Sequence, residues 1–172
     1  RRARALAKGH TRSGKAILYT TVRPEDVGQA QVLQQNLAAI GLQVEVTQFP
    51  GRLLFDQLAT GANAFDIGRV GFGHPADPSW FTSIFDGRMI GQPGNGNWSY
   101  FKSSKYNRLF DEASRLTGDA RYRAYGALDV QLSREAAPAI PIANLNEFTF
   151  VSVRTGCVVL NPGLDLTAVC LK

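Results

Sequence analysis

The chain is 172 residues long, with 44% hydrophobic and 19% charged residues, an ordinary composition for a globular protein. A chain of this length buries roughly 70% of its unfolded surface, so we expect one domain or one large lobe. No run of apolar residues approaches the ~20 that a membrane-spanning helix needs. The sequence opens at Arg1 without an initiator methionine, and we therefore expect it to be a piece of a longer protein.

The formal net charge of +5 raises the question of a nucleic-acid partner. Six basic residues and no acidic ones lie in residues 1–15, so the rest of the chain holds 13 basic and 14 acidic residues. A nucleic-acid-binding surface needs basic side chains on the folded face that meets the phosphates. The placement therefore favours a solvated helix end, and a basic α/β nucleic-acid-binding module is the alternative function.

Two cysteines, Cys157 and Cys170, lie near the end of the sequence on either side of the turn Asn161-Pro162-Gly163. This spacing suits a disulfide across a hairpin-like return and is poor for zinc, which needs more Cys or His ligands nearby. A pair of buried thiols is the alternative. A disulfide would imply an exported protein.

The first part of the chain alternates between strand and helix patterns. The predicted elements are a helix over Arg1–Lys8, a strand over Ala16–Val22, a helix from Pro24 to Gly41, a strand over Leu42–Gln48 and a helix over Leu53–Thr60. Acids in the first turn of the second helix favour its dipole, and Gly41 with Leu42 suits a Schellman-type end. Residues 16–48 therefore predict a βαβ unit with parallel strands.

Residues 65–80 carry the clearest signal for a site. Phe65, Ile67 and Val70 predict a short strand, a loop rich in Gly and Pro follows, and Asp77 then begins a short helix. In α/β folds, ligands bind in loops at the carboxyl ends of strands. We therefore expect any small molecule to bind here.

The second part of the chain predicts helices before terminal strands. It reads as a long loop over Asp86–Trp98, a helix capped by Ser103 or Ser104, a helix from Asp119, and strands over Glu147–Val153 and Val158–Leu171. Loops as long as the first of these are often functional rims. The aromatic and leucine stripes of the two helices indicate core packing.

Catalytic motifs are missing from the sequence. It holds two histidines, His10 and His74, and no nucleophile elbow, Walker loop, dinucleotide fingerprint or His-Glu-x-x-His helix. We therefore expect no enzyme activity, no cofactor and no metal. A hydrolase lobe whose partner residues lie in other sequence is a further alternative.

Several segments, in this order, carry a family resemblance. They are Ala5–Gly9, Leu37–Leu42 with Gln43–Val46, Phe65–Ile67, Gly71-Phe72 with Asp77-Pro78, Asn97–Tyr106, Ala137–Ile142, and Asp165-Leu166 with Val169. Together they resemble the C-terminal lobe of family-5 extracellular solute-binding proteins, the receptors of oligopeptide, dipeptide and nickel ABC importers.

The resemblance implies an α/β lobe of the type II periplasmic-binding-protein kind, with a mixed sheet, a βαβ unit and flanking helices. Residues 1–143 would form the lobe and residues 144–172 a terminal return segment. The implied partners are a small solute such as a peptide, an ABC permease and a missing N-terminal lobe, with no nucleic acid. The protein would be extracytoplasmic, with a lipid anchor through the missing N-terminus.

The candidate ligand-binding residues are Phe72, His74, Trp80, Trp98 and Arg69. Peptide-binding members carry an Asp where His74 stands, and an imidazole cannot supply the fixed negative charge that an ammonium needs. A neutral or anionic ligand is therefore expected at least as much as a peptide. Phe72 stands where a Trp is usual and keeps an apolar wall without the N–H donor. A core position is the alternative for Trp80, and a structural ion pair for Arg69.

Overall fold

The computed structural model of the chain describes residues 1–10, 14–60, 64–73, 77–92, 95–143, 148–160 and 163–172. Within these ranges, every helix is too short or too polar to cross a membrane. The helices are α1 (Arg2–Ala7), α2 (Pro24–Ala38), α3 (Gly51–Thr60), α4 (Trp80–Phe85), α5 (Ser104–Ser114) and α6 (Gly118–Gln131). The strands are β1 (Lys15–Thr21), β2 (Gln43–Phe49), β3 (Ile67–Gly68), β4 (Thr155–Gly156) and β5 (Cys170–Leu171).

The predicted βαβ unit is confirmed. β1 and β2 pair in parallel along their whole length, from Lys15 opposite Gln43 to Thr21 opposite Phe49, and α2 connects them. The end of α2 is also as predicted: the Leu42 N–H donates to the Leu37 carbonyl (3.0 Å). Gly41 has a φ of 96°, a left-handed conformation that glycine adopts without strain.

The main sheet has the strand order β2-β1-β3, and its described strands are all parallel. We predicted one mixed sheet. The structure instead has a parallel sheet and a separate antiparallel pair, β4–β5. Since β1 lies in the centre, its carboxyl end meets those of β2 and β3 at one edge, here called the carboxyl edge. The chain reaches α2, α3 and the loop after β3 from this edge.

The two faces of the sheet pack against different helices. On one face, Leu18 and Val44 pack with Ala30 of α2. On the other face, Leu54 and Leu58 of α3 pack with Tyr19. Gly68 permits this second contact, because a Cβ at this position would lie 2.9 Å from the Leu58 Cδ2.

A third core lies between α4, α5 and α6. Phe110, Tyr125 and Leu132 are fully or almost fully buried there. Most residues of the two predicted stripes are therefore core residues, as predicted. Leu116 and Tyr122 were expected to face the core as well, but they are exposed, because they lie at the end of the first stripe and off the buried face of α6. The N-cap of α5 is Ser103, whose hydroxyl accepts the Tyr106 N–H at 3.4 Å.

The end of the chain combines a confirmed prediction with a wrong one. Cys157 and Cys170 form the predicted disulfide, with their Cα atoms 5.3 Å apart. The predicted long strands are wrong: among the described residues, 148–153 pair with no strand, and the pairing in this region consists of the short β4–β5 ladder and a single Leu160–Leu164 bridge. Glu147, and residues 161 and 162 of the predicted turn, lie outside the described residues.

Candidate functional site

Four aromatic side chains meet near the carboxyl edge of the main sheet. They are Phe55, Phe72, Trp80 and Trp98, and we call them the aromatic cluster. Phe55 lies in the second turn of α3, which begins where β2 ends, and Phe72 lies in the loop after β3. Trp80 is the first residue of α4, and Trp98 lies in the loop before α5.

The rings contact one another in a continuous chain. Phe55 stacks on Trp98 with ring centroids 5.1 Å apart, and Trp98 stacks on Phe72 at 5.5 Å with planes 8° apart. Phe72 meets Trp80 edge to face at 4.6 Å. Because Trp98 also packs against the α3 core and Trp80 against the core of α4, α5 and α6, the cluster bridges two cores.

The cluster is only partly closed. Phe72 and Phe55 remain 43% and 39% exposed, whereas Trp80 and Trp98 are half-buried. An isolated exposed aromatic residue on a protein surface is unremarkable, but several contacting ones at a sheet edge form an apolar wall. The two open phenyl rings are therefore the accessible part of this wall.

Trp98 is held in place by a hydrogen-bonded loop. Its indole N–H donates to the Asn95 carbonyl at 2.8 Å. The fully buried Asn97 side chain donates to the carbonyls of Asp86 (3.1 Å) and Phe101 (2.8 Å), and its oxygen accepts the Phe101 N–H (3.1 Å). Asn97 thus joins the start and the end of the loop that carries Trp98.

Tyr100 adds a strained position to the same loop. Its φ of 52° lies in the left-handed region, which side chains other than glycine, Asn and Asp seldom adopt. Its hydroxyl donates to the Leu58 carbonyl at 2.9 Å, and burial raises the pKa of this hydroxyl. Strain of this kind persists where the surroundings over-determine the backbone, which is common at binding sites.

An ion pair holds Asp77, which lies just before α4. The Asp77 Oδ1 accepts the Ser79 N–H (2.7 Å) and a bond from the Arg121 guanidinium (2.8 Å). The hydrogen bond from Arg121 holds the pKa of Asp77 well below its usual range, and the bonds from Ser79 lower it further. Arg121 also donates to the Ser114 carbonyl (3.1 Å) and so ties the start of α4 to the end of α5.

Arg69 does not belong to the cluster. Its guanidinium is buried, forms an ion pair with Asp26 and donates two bonds, of 2.6 and 3.0 Å, to the Gln29 Oε1. Asp26 in turn accepts a hydrogen bond from the Thr21 hydroxyl. This placement matches the alternative interpretation, a structural ion pair between α2 and the end of β3.

The structure thus brings together three of the five candidate residues: Phe72, Trp80 and Trp98. His74 lies outside the described residues. The sequence interpretation missed Phe55, which neighbours the buried Leu54 but points away from the α3 core. The sequence could have indicated Phe55, because it is a large apolar residue that lies off the buried face of a helix, and that helix begins at the carboxyl edge.

Two open grooves among the described residues lie away from the cluster. One, of about 500 Å³, is lined by the amino-terminal ends of β1 and β2, at the edge opposite to the carboxyl edge. Another, of about 520 Å³, lies between α2 and Ile142. Neither contains the convergent aromatic side chains of the cluster. In the described ranges, no three His, Cys, Asp or Glu side chains are grouped to hold a metal ion.

Comparisons with known proteins give close structural matches without a sequence match. No family model and no curated protein sequence matches the chain. The chain superposes on HbpA2 from Haemophilus parasuis with a TM-score of 0.75 and 21% identity, over 99% of this chain and 35% of that one. For the clavulanic acid biosynthesis oligopeptide binding protein 2, the TM-score is 0.81 and the identity 20%, over 98% and 32% of the two chains.

A third match is the dipeptide binding protein from Pseudoalteromonas sp. SM9913 in complex with Met-Leu. Its TM-score is 0.76 and its identity 16%, over 98% of this chain and 35% of that one. The chain thus spans about a third of the length of these solved structures. The predicted resemblance to family-5 solute-binding proteins, and with it the α/β lobe, is confirmed at the level of the fold.

Proposed function

We propose that the chain is one lobe of the solute-binding protein of an ABC-type importer, and that it captures a small solute against the aromatic cluster without catalysis. The observation that carries the proposal is the partly open cluster at the carboxyl edge of a parallel sheet. Ligand sites of open α/β sheets lie at this edge, and they combine apolar walls with a few polar groups. Two of the structurally similar proteins are named as oligopeptide and dipeptide binding proteins.

A second lobe is part of the proposal. A wall that stays open on one side cannot enclose a solute, and the structurally similar chains are about three times as long as this one. The second lobe would supply the opposite wall, and closure of the two lobes around the solute would be the signal to the permease.

The terminal segment is the proposed connection to that lobe. Phe148, Phe150 and Val153 are 78%, 93% and 90% exposed, and the described hydrophobic core contains no residue after Leu132. Exposed apolar residues in such density mark an interaction surface. We propose that residues 144–172 pack on the second lobe, whereas residues 1–143 form the solute-binding lobe.

An extracytoplasmic location follows from the same proposal. The Cys157–Cys170 disulfide supports it, because disulfides persist in oxidising compartments and are rare in the cytosol. We further propose a lipid anchor through a segment that precedes this chain.

The basic segment has a structural interpretation within this proposal. The Arg4 guanidinium donates to the Ala39 carbonyl at 2.6 Å, at the end of α2, where a positive charge is favourable to the helix dipole. This contact supports the solvated helix end over the nucleic-acid-binding module.

Tryptophan fluorescence tests the proposal directly, because the only two tryptophans of the chain, Trp80 and Trp98, both lie in the aromatic cluster. The chain, and a longer protein that adds the proposed second lobe, would be titrated with peptides, sugars, opine-like acids and divalent metals. We expect one class to change the emission and to raise the melting temperature, since a ligand at a hundredfold excess over its dissociation constant stabilises by about 2.7 kcal/mol. If no class changed either protein, the proposal would be wrong.

A further inference from the structure

We infer that the part of the solute that contacts the aromatic cluster is an uncharged apolar group, and that a flat aromatic ring fits it best. The inference rests on the proposed function, because it assumes that the cluster is the solute contact. It extends the proposed function by naming the class of chemical group that this lobe binds.

The open surface of the cluster is hydrocarbon. Its accessible rings, Phe72 and Phe55, both contact Trp98 and carry no polar atom. A ring of the solute can continue the existing row of rings, since aromatic pairs favour offset-stacked and edge-to-face arrangements. A polar group placed against these rings would lose water without gaining a hydrogen bond.

Among the described residues, the polar groups beside the rings have partners with one exception, the Asn95 amide nitrogen, which is buried and therefore not open to a solute. The Trp98 indole N–H, which is the polar atom of the stacked pair, is bonded to the Asn95 carbonyl. The amide of the neighbouring Asn97 makes two donor and two acceptor bonds within its own loop. A sugar needs free donors and acceptors beside the ring on which it stacks, so this wall is a poor sugar platform.

Arg69, the cation that the sequence suggested for an anionic solute, also has a partner. Arg69 is buried, and its charge is balanced by Asp26. A solute carboxylate bound at the cluster would therefore lose its hydration without pairing with Arg69. Burial of an unpaired charge is unfavourable in free energy. Among the described residues, Arg52, one turn before Phe55 on α3, is a further cation to be tested.

The experiment compares dipeptides that differ only in one side chain. Ala-Phe, Ala-Ser, Ala-Asp and Ala-Lys are titrated into the chain up to about 10 mM, a range that detects a dissociation constant near 1 mM. Glucose is the sugar probe. Emission is excited at the red edge of tryptophan absorption, where phenylalanine does not absorb.

We expect Ala-Phe to bind about tenfold or more tightly than the three polar dipeptides, the factor that burial of one aromatic side chain provides. Phe72→Ala and Phe55→Ala should each reduce this preference, and Phe72→Leu should retain part of it. Arg52→Gln should leave it unchanged. The matched control is Phe150→Ala, an exposed phenylalanine with no ring contact among the described residues, which should also leave it unchanged. Far-UV circular dichroism checks that each variant is folded.

Each other outcome overturns the inference. Equal binding of all four dipeptides, or a preference for Ala-Asp, Ala-Lys or glucose, would reject it and leave solute binding intact. A preference for Ala-Phe that survives both Phe72→Ala and Phe55→Ala would place the recognition elsewhere. If no probe changed the emission of the chain, the inference that this lobe alone selects an aromatic group would fail, whereas the proposed function would be decided by the titration of the longer protein.

Discussion

Phe72 and Trp98 stack with their ring planes 8° apart and their centroids 5.5 Å apart, although each lies on a different loop. Asn97 holds the loop of Trp98 through four hydrogen bonds of its side-chain amide. The Asp77–Arg121 pair lies just before Trp80, which meets the other side of Phe72 edge to face. Trp98, one member of the stack, is therefore preorganised, which lowers the conformational cost of binding a ring against it.

The first prediction concerns Asn97. Asn97→Ala removes both amide donors and leaves the buried carbonyls of Asp86 and Phe101 without these partners, so we expect a loss of about 2–4 kcal/mol in the free energy of unfolding. Tryptophan emission should shift as well, because Trp98 follows directly. The control is Ser99→Ala, which removes a single bond at an exposed residue and should cost within about 0.5 kcal/mol. Equal losses in urea denaturation would contradict the role given to Asn97.

The second prediction concerns the pH dependence of the Asp77–Arg121 pair. The pKa of Asp77 is lowered in the folded chain by the hydrogen bond from Arg121, so the charged form stabilises the fold above the ordinary carboxyl pKa of about 4. This contribution is lost as the pH falls through the lowered pKa. Asp77→Asn keeps an oxygen for the Ser79 N–H but removes the charge.

We therefore expect Asp77→Asn to melt at a lower temperature than the unmodified chain at neutral pH. The difference in melting temperature between the two proteins should become smaller in acid. The control is Asp119→Asn, because Asp119 lies in a solvent-exposed pair 4.0 Å from Arg123. That variant should show a smaller difference from the unmodified chain at neutral pH. A difference for Asp77→Asn that stayed constant down to acid pH would show that the charge of Asp77 is not responsible.

The parts of the fold that local sequence encodes were predictable. Alternation in Leu42–Gln48, the acidic first turn of α2 and the glycine at its end all agree on one βαβ unit, which the structure confirms. The cysteine spacing gave the disulfide for a similar reason, since a return between two near positions brings them together. Agreement between local signals is what makes such segments predictable.

The parts that depend on distant partners were not predictable. Phe148–Val153 has the apolar residues of a strand, but a strand exists only where another strand pairs with it, and none of the described strands does. Phe55 was also unpredictable from local sequence, because it joins the aromatic cluster by stacking on Trp98, which lies far along the chain. The sequence allowed an ion pair for Arg69 but could not identify Asp26 as its partner.

The third prediction concerns that ion pair. Arg69→Met leaves Asp26 buried without its counter-charge, and we expect a loss of about 3–5 kcal/mol in the free energy of unfolding. The double variant Arg69→Met/Asp26→Leu removes both charges and should cost less than the sum of the two single changes, because no charge stays buried alone. Urea denaturation of the four proteins measures this coupling. Additive losses would mean that the two charges do not stabilise each other.

The fourth prediction separates the disulfide from the body of the lobe. The Cys157–Cys170 bond closes a loop within the terminal segment, and the hydrophobic cores of the described residues contain no member of that loop. The constraint of such a bond, of the order of 3 kcal/mol for a loop of this size, acts on the part that unfolds with it. If the terminal segment unfolds by itself, the body gains none of this stabilisation.

We therefore follow the unfolding of residues 1–143, the body of the lobe, in urea by the emission of Trp80 and Trp98. Reduction of the disulfide should leave the midpoint of this transition almost unchanged. Limited proteolysis between residues 148 and 172 should become faster at the same time, because the described part of the reduced segment keeps the short β4–β5 ladder, the Leu160–Leu164 bridge and a few backbone hydrogen bonds, but no covalent link. Cys157→Ser/Cys170→Ser should reproduce both effects without reductant. A large fall of the tryptophan midpoint on reduction would show that the terminal segment and the body unfold as one unit, against the division of the chain at residue 143.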